Sequence, residues 1–129
     1  MTRSILLDTH PMYAISILKS EMTLNTIPEI IDYFKAKIEV NPEDVFITVF
    51  DHYAHTQELN GEIMEGLINA QNLIFCFGHT IKNIDILAFR PKSIAIAENE
   101  ESFTFEFLET PRPEVNAWMT SWIKGLVKS

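Results

Sequence analysis

Two apolar stretches decide the fold: FITVFDHYAHT at residues 46–56 and LIFCFGHT at residues 73–80. Each begins as a run of β-branched and aromatic residues, which is typical of a strand, and each ends at a loop that carries histidine. The runs are apolar at nearly every position rather than at alternate ones, which is typical of strands buried on both faces. The sequence therefore predicts that Val45–Phe50 and Leu73–Phe77 are interior strands of one sheet.

The way these two strands are joined predicts where their ends lie. Residues 58–70 are long enough to be a crossover helix, since Leu59, Ile63, Met64, Leu67 and Ile68 fit one helix face. A crossover connection returns the chain to the same edge of the sheet, so the two strands would be parallel neighbours. Their histidine-bearing loops would then meet at one edge.

Two further helices have clear signatures. The first begins at TIPE (residues 26–29), a capping box in which Thr26 is the N-cap and Glu29 reaches back to the Thr26 amide. The second lies at the C-terminus, where apolar residues recur at Val115, Trp118, Met119, Trp122, Ile123 and Leu126. Such stripes usually pack against a sheet, which makes Phe34 and Trp122 predicted core residues.

Shorter apolar runs predict the remaining strands. These are Met12–Leu18, Ile84–Phe89, Ser93–Ala97 and Phe103–Leu108. In the last of them aromatic residues alternate with polar ones, as in a half-buried antiparallel strand. The predicted order is β-α-β-α-β, then a β-meander and a closing amphipathic helix. This is a single α+β domain over residues 1–129 with a mixed β-sheet.

The overall composition argues against several classes of protein. The chain has 129 residues, 47% of them hydrophobic, which suffices for one domain with a core. A net charge of −8 argues against binding to nucleic acid or to an anionic membrane surface. No run is long enough for a membrane span, and Ile5-Leu6-Leu7 is too short for a signal peptide. A single cysteine cannot form an internal disulfide, so we expect a cytoplasmic protein.

The ends of the two apolar strands gather side chains that can ligate a metal. His52 and His55 form an H-x-x-H pair, and Cys76 and His79 form a C-x-x-H pair. Imidazole and thiolate suit zinc and other divalent transition metals, so these four residues are a candidate metal site. Against this hypothesis, neither pair is a specific signature, and a cysteine between two phenylalanines is usually a small buried hydrophobe.

The same loops also predict a site for an organic ligand. Its candidate lining residues are Asp51, His52, Tyr53, His55 and His79. A carboxylate beside a histidine can also orient it for acid–base chemistry. The plainer interpretation, which we favour, is that Asp51 and His52 cap a turn and that Thr56 caps the following helix.

Three functional hypotheses follow. The first is a small cytoplasmic ligand-binding domain with a histidine-lined site, with or without a metal such as zinc. The second is a non-catalytic interaction protein that acts as a homodimer, because dimers are the commonest oligomers and the apolar content leaves surface to spare. The third is an enzyme that uses histidine acid–base chemistry. It is favoured least, since no phosphate-binding glycine loop, nucleophile elbow or H-E-x-x-H motif is present.

Overall fold

The described residues form a six-stranded sheet, on which the helices pack. The computed structural model describes residues 2–6 and 10–129. The strands are β1 (Thr2–Leu6), β2 (His10–Leu18), β3 (Asp44–Phe50), β4 (Asn69–Phe77), β5 (Lys92–Glu98) and β6 (Ser102–Leu108). Their order across the sheet is β1-β2-β6-β5-β4-β3. The predicted α+β class is confirmed, but every pairing between these strands is antiparallel, where a mixed sheet was expected.

The described residues also form three α-helices. They are α1 (Ile27–Glu39), α2 (His52–Glu58) and α3 (Pro113–Lys124), with 3₁₀ segments at Lys19–Glu21 and Ile84–Ala88. The predicted N-cap of α1 is confirmed, because the Glu29 amide donates to Thr26 Oγ1. The Glu29 carboxylate accepts from the Thr26 hydroxyl (2.8 Å) rather than from the Thr26 amide. No helix in the described ranges is long and apolar enough to cross a membrane.

Helices α1 and α3 lie together on one side of the sheet, which we call the covered face. The core forms between them and alternate residues of β2, β4, β5 and β6. The Phe34 ring meets Phe105 at 5.9 Å, and the Trp122 ring meets Phe75 at 5.6 Å, measured between centroids. Phe34 and Trp122 are both buried, as predicted from their helix stripes.

The opposite side of the sheet, which we call the open face, has much lighter cover. In β5 and β6 the residues that alternate with the core are mostly small. Among the described residues, the segments that line the groove over this side of the sheet are α2 and the loops 59–68 and 78–91. The helices α1 and α3 are not on this side, because their apolar residues pack against the covered face. The open face is therefore where the fold has room for another molecule.

One of the two predicted interior strands is at the edge of the sheet. Leu73–Phe77 lies within β4, between β5 and β3, as predicted, but Val45–Phe50 lies within β3, the last strand in the order. The strand is apolar on both faces because each face contacts a different helix. Phe46 packs beneath Lys35 of α1, whereas Phe50 packs against the histidines of α2. A register shift between Phe46 and Thr48 also breaks the alternation of side chains.

The prediction of a crossover helix over residues 58–70 is wrong. The helix forms earlier, directly after β3, and its seven residues span only about 10 Å. Asn60 and Gly66 then adopt positive φ angles of 55° and 90°, which a helix cannot contain. The connection therefore turns the chain back at the same end, and β4 runs antiparallel to β3.

The other predicted strands have mixed outcomes. Met12–Leu18, Ser93–Ala97 and Phe103–Leu108 lie within β2, β5 and β6, which confirms them. Ile84–Phe89 is wrong, since residues 84–88 form a 3₁₀ segment. The Asn83 side chain caps this segment by accepting from the Ile86 amide (3.2 Å), which favours a helical turn over a strand.

Candidate functional site

The antiparallel pairing of β3 with β4 separates the predicted histidines. Phe50 pairs with Asn72 at one end of the two strands, and Asp44 pairs with Phe77 at the other. His52 follows Phe50 and His79 follows Phe77, so the seven residues of β3 separate them by roughly 20 Å. Ligand bonds of about 2.1 Å cannot bridge that distance. The prediction that His52, His55 and His79 converge on one cavity is wrong.

The four predicted metal ligands accordingly do not form one site. Within the described part of the chain, no group of three or more His, Cys, Asp or Glu side chains is placed to hold a metal ion. Cys76 lies opposite Val45 on the open face, and its thiol donates to the Phe77 carbonyl. His79 lies at the far end of the sheet, with its Nδ1 3.9 Å from Glu43 Oε1.

The histidines at 52 and 55 form the start of α2. Asp51 Oδ1 accepts from the Ala54 amide (2.9 Å), so Asp51 is the N-cap of α2, where the plainer interpretation expected it to cap a turn. Thr56 does not cap a following helix, because its hydroxyl donates back to the His52 carbonyl within α2. The rings of His52 and His55 each lie 5.3 Å from the Phe50 ring.

A continuous groove crosses the open face. It consists of three cavities of about 290, 360 and 610 Å³. The first two share Met64 and Leu67 of the loop 59–68, and the last two share Ala95 and Glu106 of the sheet. We call their sum the open-face groove. Its floor is formed largely by small side chains at Ala70, Ser93, Ala95, Ala97 and Thr104.

The largest of the three cavities of the groove lies where two central strands diverge. β5 begins at Lys92 and β6 ends at Leu108, but their pairing stops at Ala95 opposite Glu106. Beyond that pair the strands separate, and the cavity enters the gap. It is therefore lined by residues of both faces, with Phe89 of the loop 78–91 as one wall.

Two charged side chains line this cavity without a partner. Glu106 is half-buried between Ala14 and Ala95 on the neighbouring strands, and it makes no hydrogen bond or ion pair in the described part of the chain. Lys92 lies at the end of β5, at the opening of the gap, and it is on the same face of the strand as Ile94. Burial lowers the pKa of the Lys92 amine, which likewise has no partner among the residues at 2–6 and 10–129.

A chain of side-chain contacts connects the predicted histidine to this cavity. His52 Nδ1 lies 3.3 Å from Asn72 Oδ1, and Asn72 Nδ2 donates to Ser93 Oγ (3.0 Å). Because Ser93 accepts in this contact, its own hydroxyl proton is available to a molecule in the cavity. His52 therefore holds Asn72 in place, and Asn72 orients Ser93.

A second depression, of about 830 Å³, lies beside α3. Its one charged side chain without a partner in the described residues is Lys124, which is exposed to solvent. Of its acidic and amide groups, Glu109 accepts from Arg3 at 2.9 and 3.0 Å and from the Tyr13 hydroxyl at 3.2 Å. Asn116 is bonded to the amide and carbonyl of Thr110. These groups stabilise the fold, so this depression is a weaker candidate than the groove.

The structure places the sequence-predicted residues unequally around the groove. His52 and Tyr53 line its smallest cavity. Asp51 and His55 support α2 from outside that cavity, and His79 lies beyond the far end of β3. The sequence interpretation missed Asn72, Lys92, Ser93 and Glu106. One signal was present: SIAIA at residues 93–97 puts only small residues on the face opposite the core.

The fold and groove define a class: a small α+β domain whose antiparallel sheet is covered by helices on one face and carries a groove on the other. The chain belongs to DUF6858, a family of unknown function, whose profile matches residues 1–128. No curated protein matches the chain.

Among solved structures, the chain is similar to the crystal structure of an uncharacterized conserved protein, DUF302, from Bacillus stearothermophilus. The TM-score is 0.56 and the identity 12%, over 85% of this chain and 80% of that chain. At this identity the similarity shows a common fold.

Proposed function

We propose that the protein is a ligand-binding domain that holds a small molecule in the open-face groove. The observation that supports this most directly is the cavity of about 610 Å³ between β5 and β6. Small-molecule sites typically measure about 300–1,000 Å³ and combine apolar walls with a few polar groups. Here Met12, Phe89 and Leu108 provide apolar surface, whereas Ser93 and Glu106 provide polar groups.

The histidine loop takes a supporting part in this proposal. His52 and Tyr53 line the shallow end of the groove, and His52 acts on the large cavity through Asn72 and Ser93. Asp51 fixes the start of α2 and so the position of His52. The net charge and the single cysteine that suggest a cytoplasmic protein without nucleic-acid or membrane partners are consistent with this function.

The test is a thermal-shift screen against amino acids, amines, organic acids, nucleosides and sugars, followed by calorimetry of each hit. We expect at least one class to raise Tm. Ala95→Leu should abolish that shift while leaving the fold intact, because the added side chain fills the groove floor. Ala36→Leu, on the exposed surface of α1, is the matched control. A ligand that binds Ala95→Leu as well as the wild type would contradict the proposal.

A specific observation also favours homodimer formation as a second candidate function. β3 is an edge strand without Lys or Pro, and its Val45 and Ile47 side chains are 59% and 49% exposed. Natural edge strands usually carry such protection against pairing. A strand that pairs antiparallel with its own copy generates a two-fold axis, so β3 suits a symmetric dimer. Light scattering should give a dimer mass for the wild type and a monomer mass for Ile47→Lys.

A further inference from the structure

The position of Glu106 on the open face leaves space beside its carboxylate. Glu106 pairs with Ala14 of β2 on one side and with Ala95 of β5 on the other, and Ala95 pairs in turn with Asn72 of β4. Neighbouring strands lie roughly 5 Å apart, so the nearest side chains across the sheet are two methyl groups. A group of a ligand that lies over Ala95 would therefore be within reach of the carboxylate.

The Glu106 carboxylate is half-buried, and burial of an ion without a partner is unfavourable. Glu106 forms no hydrogen bond or ion pair in the described part of the chain. Lys92 is the single Lys or Arg among the described residues that line the groove, and it lies on the same face of β5 as Ile94, away from Glu106. A cation supplied by a ligand would therefore restore the interactions that this carboxylate loses on burial.

An organic ammonium group fits this position better than a metal ion. A bound metal ion usually takes several protein ligands, and no group of three or more His, Cys, Asp or Glu side chains is placed to hold one in residues 2–6 and 10–129. An ammonium group, in contrast, forms a charge-assisted hydrogen bond with a single carboxylate. The Phe89 ring lines the same cavity, and the face of an aromatic ring attracts cations.

The other surfaces of the cavity determine the rest of the ligand. Met12, Phe89 and Leu108 offer apolar surface, and Ala95 leaves room above the floor. An apolar group of the ligand would bury this surface. A carboxylate on the ligand would instead face Glu106, and the like charges would repel each other.

We propose that the ligand is an organic amine whose ammonium group binds the Glu106 carboxylate and whose apolar group packs against Met12, Phe89 and Leu108. This inference rests on the proposed function, because it assigns the ligand of the same groove. It adds the sign of the ligand's charge and the residue that recognises it.

The test uses three probes of similar shape: phenethylamine, 2-phenylethanol, in which a hydroxyl replaces the ammonium group, and 3-phenylpropionate, which carries a carboxylate. Calorimetry with the whole chain at neutral pH should give phenethylamine an affinity at least about tenfold higher than either analogue. Equal or higher affinity for one of the analogues would overturn the inference and leave the proposed function intact.

The thermal-shift screen decides the case in which none of the three probes binds. A hit that is an amine then takes the place of phenethylamine and supports the inference. Hits confined to organic acids or uncharged compounds overturn the inference but leave the proposed function intact. If no compound of the screen binds, the proposed function fails as well.

A conservative variant tests the assigned contact. Glu106→Gln keeps the size of the side chain and removes its charge, so it should lower the affinity for phenethylamine at least about tenfold and leave the affinity for 2-phenylethanol unchanged. Glu100→Gln makes the same change at an exposed position that does not line the groove, and it should alter neither affinity. If Glu106→Gln lowers the affinity for both probes equally, Glu106 does not bind the ammonium group and the inference is wrong.

Discussion

The two faces of the sheet differ in the size, polarity and packing of their side chains. On the covered face, large apolar residues from alternate strand positions pack against α1 and α3 and form the hydrophobic core. On the open face, many of the side chains on the groove floor are small, and Glu106 lies in the groove without a hydrogen-bond or ion-pair partner among the described residues. Close packing accounts for the first face, but it does not account for the second. The contrast indicates that the covered face specifies the fold and that the open face is available for binding.

The sharpest test of this contrast compares one residue type on the two faces. Phe34 is fully buried on the covered face, whereas Phe50 is 40% exposed on the open face. Phe34→Ala should lower the free energy of unfolding by about 3–5 kcal/mol, because it leaves a cavity in the core. Phe50→Ala should cost only about 1 kcal/mol, since solvent or the α2 side chains can occupy the space. Urea denaturation measures both, and equal losses would contradict the assignment of the two faces.

An exception on the covered face provides the second test. Asp44 pairs with Phe77 at the end of β3, and both of its carboxylate oxygens are buried without a hydrogen-bond partner in the described ranges. Burial raises the pKa of Asp44 to about 6, the nearby Glu43 adds to the rise, and Arg112 opposes it. Asp44 is therefore a carboxylate without hydrogen bonds at the edge of an apolar face.

The sign of the resulting pH dependence follows from proton binding. The folded protein holds the Asp44 proton more tightly than the unfolded chain, so this contribution to stability is full below about pH 4 and is lost as pH rises through about 6. Asp44→Asn removes this dependence and should stabilise the protein at pH 7 by about 1 kcal/mol, a value reduced for solvent screening. Urea titrations from pH 4 to pH 7 measure it. Asp32→Asn, on the exposed surface of α1, should leave the pH profile unchanged.

The same contrast explains what the sequence could predict. Elements of the covered face follow simple periodicity: Phe103, Phe105 and Phe107 alternate, and α1 starts at a Thr26 cap, so their boundaries were predicted well. The edge strand β3 was misplaced because its two faces meet two different helices, which imitates burial in the middle of a sheet. The local pattern of apolar residues does not distinguish an edge strand that contacts two helices from a strand in the middle of a sheet.

The groove was harder to predict because it depends on pairing rather than on local sequence. Lys92 and Glu106 are brought to one cavity by the register of β5 with β6 and by the point at which that pairing stops. The histidines at 52 and 79 were expected to meet because a parallel crossover was assumed. The turn formed by α2, Asn60 and Gly66 reverses that geometry, and no single residue in the two apolar strands reveals it.

The smallest expected effect is the most informative about the open face. Ala95 lies on the groove floor, between the core residues Ile94 and Ile96 of the same strand. Adding methylenes to a well-packed core usually costs about 1–3 kcal/mol, because neighbouring side chains must leave their preferred rotamers. Ala95→Leu points instead into a cavity of about 610 Å³, so we expect the free energy of unfolding to change by less than about 0.5 kcal/mol. Urea denaturation with Ala36→Leu as the surface control measures this change. A loss above about 1 kcal/mol would mean that the space over Ala95 is already filled by the protein itself, and the open face would then be a second core rather than a binding surface.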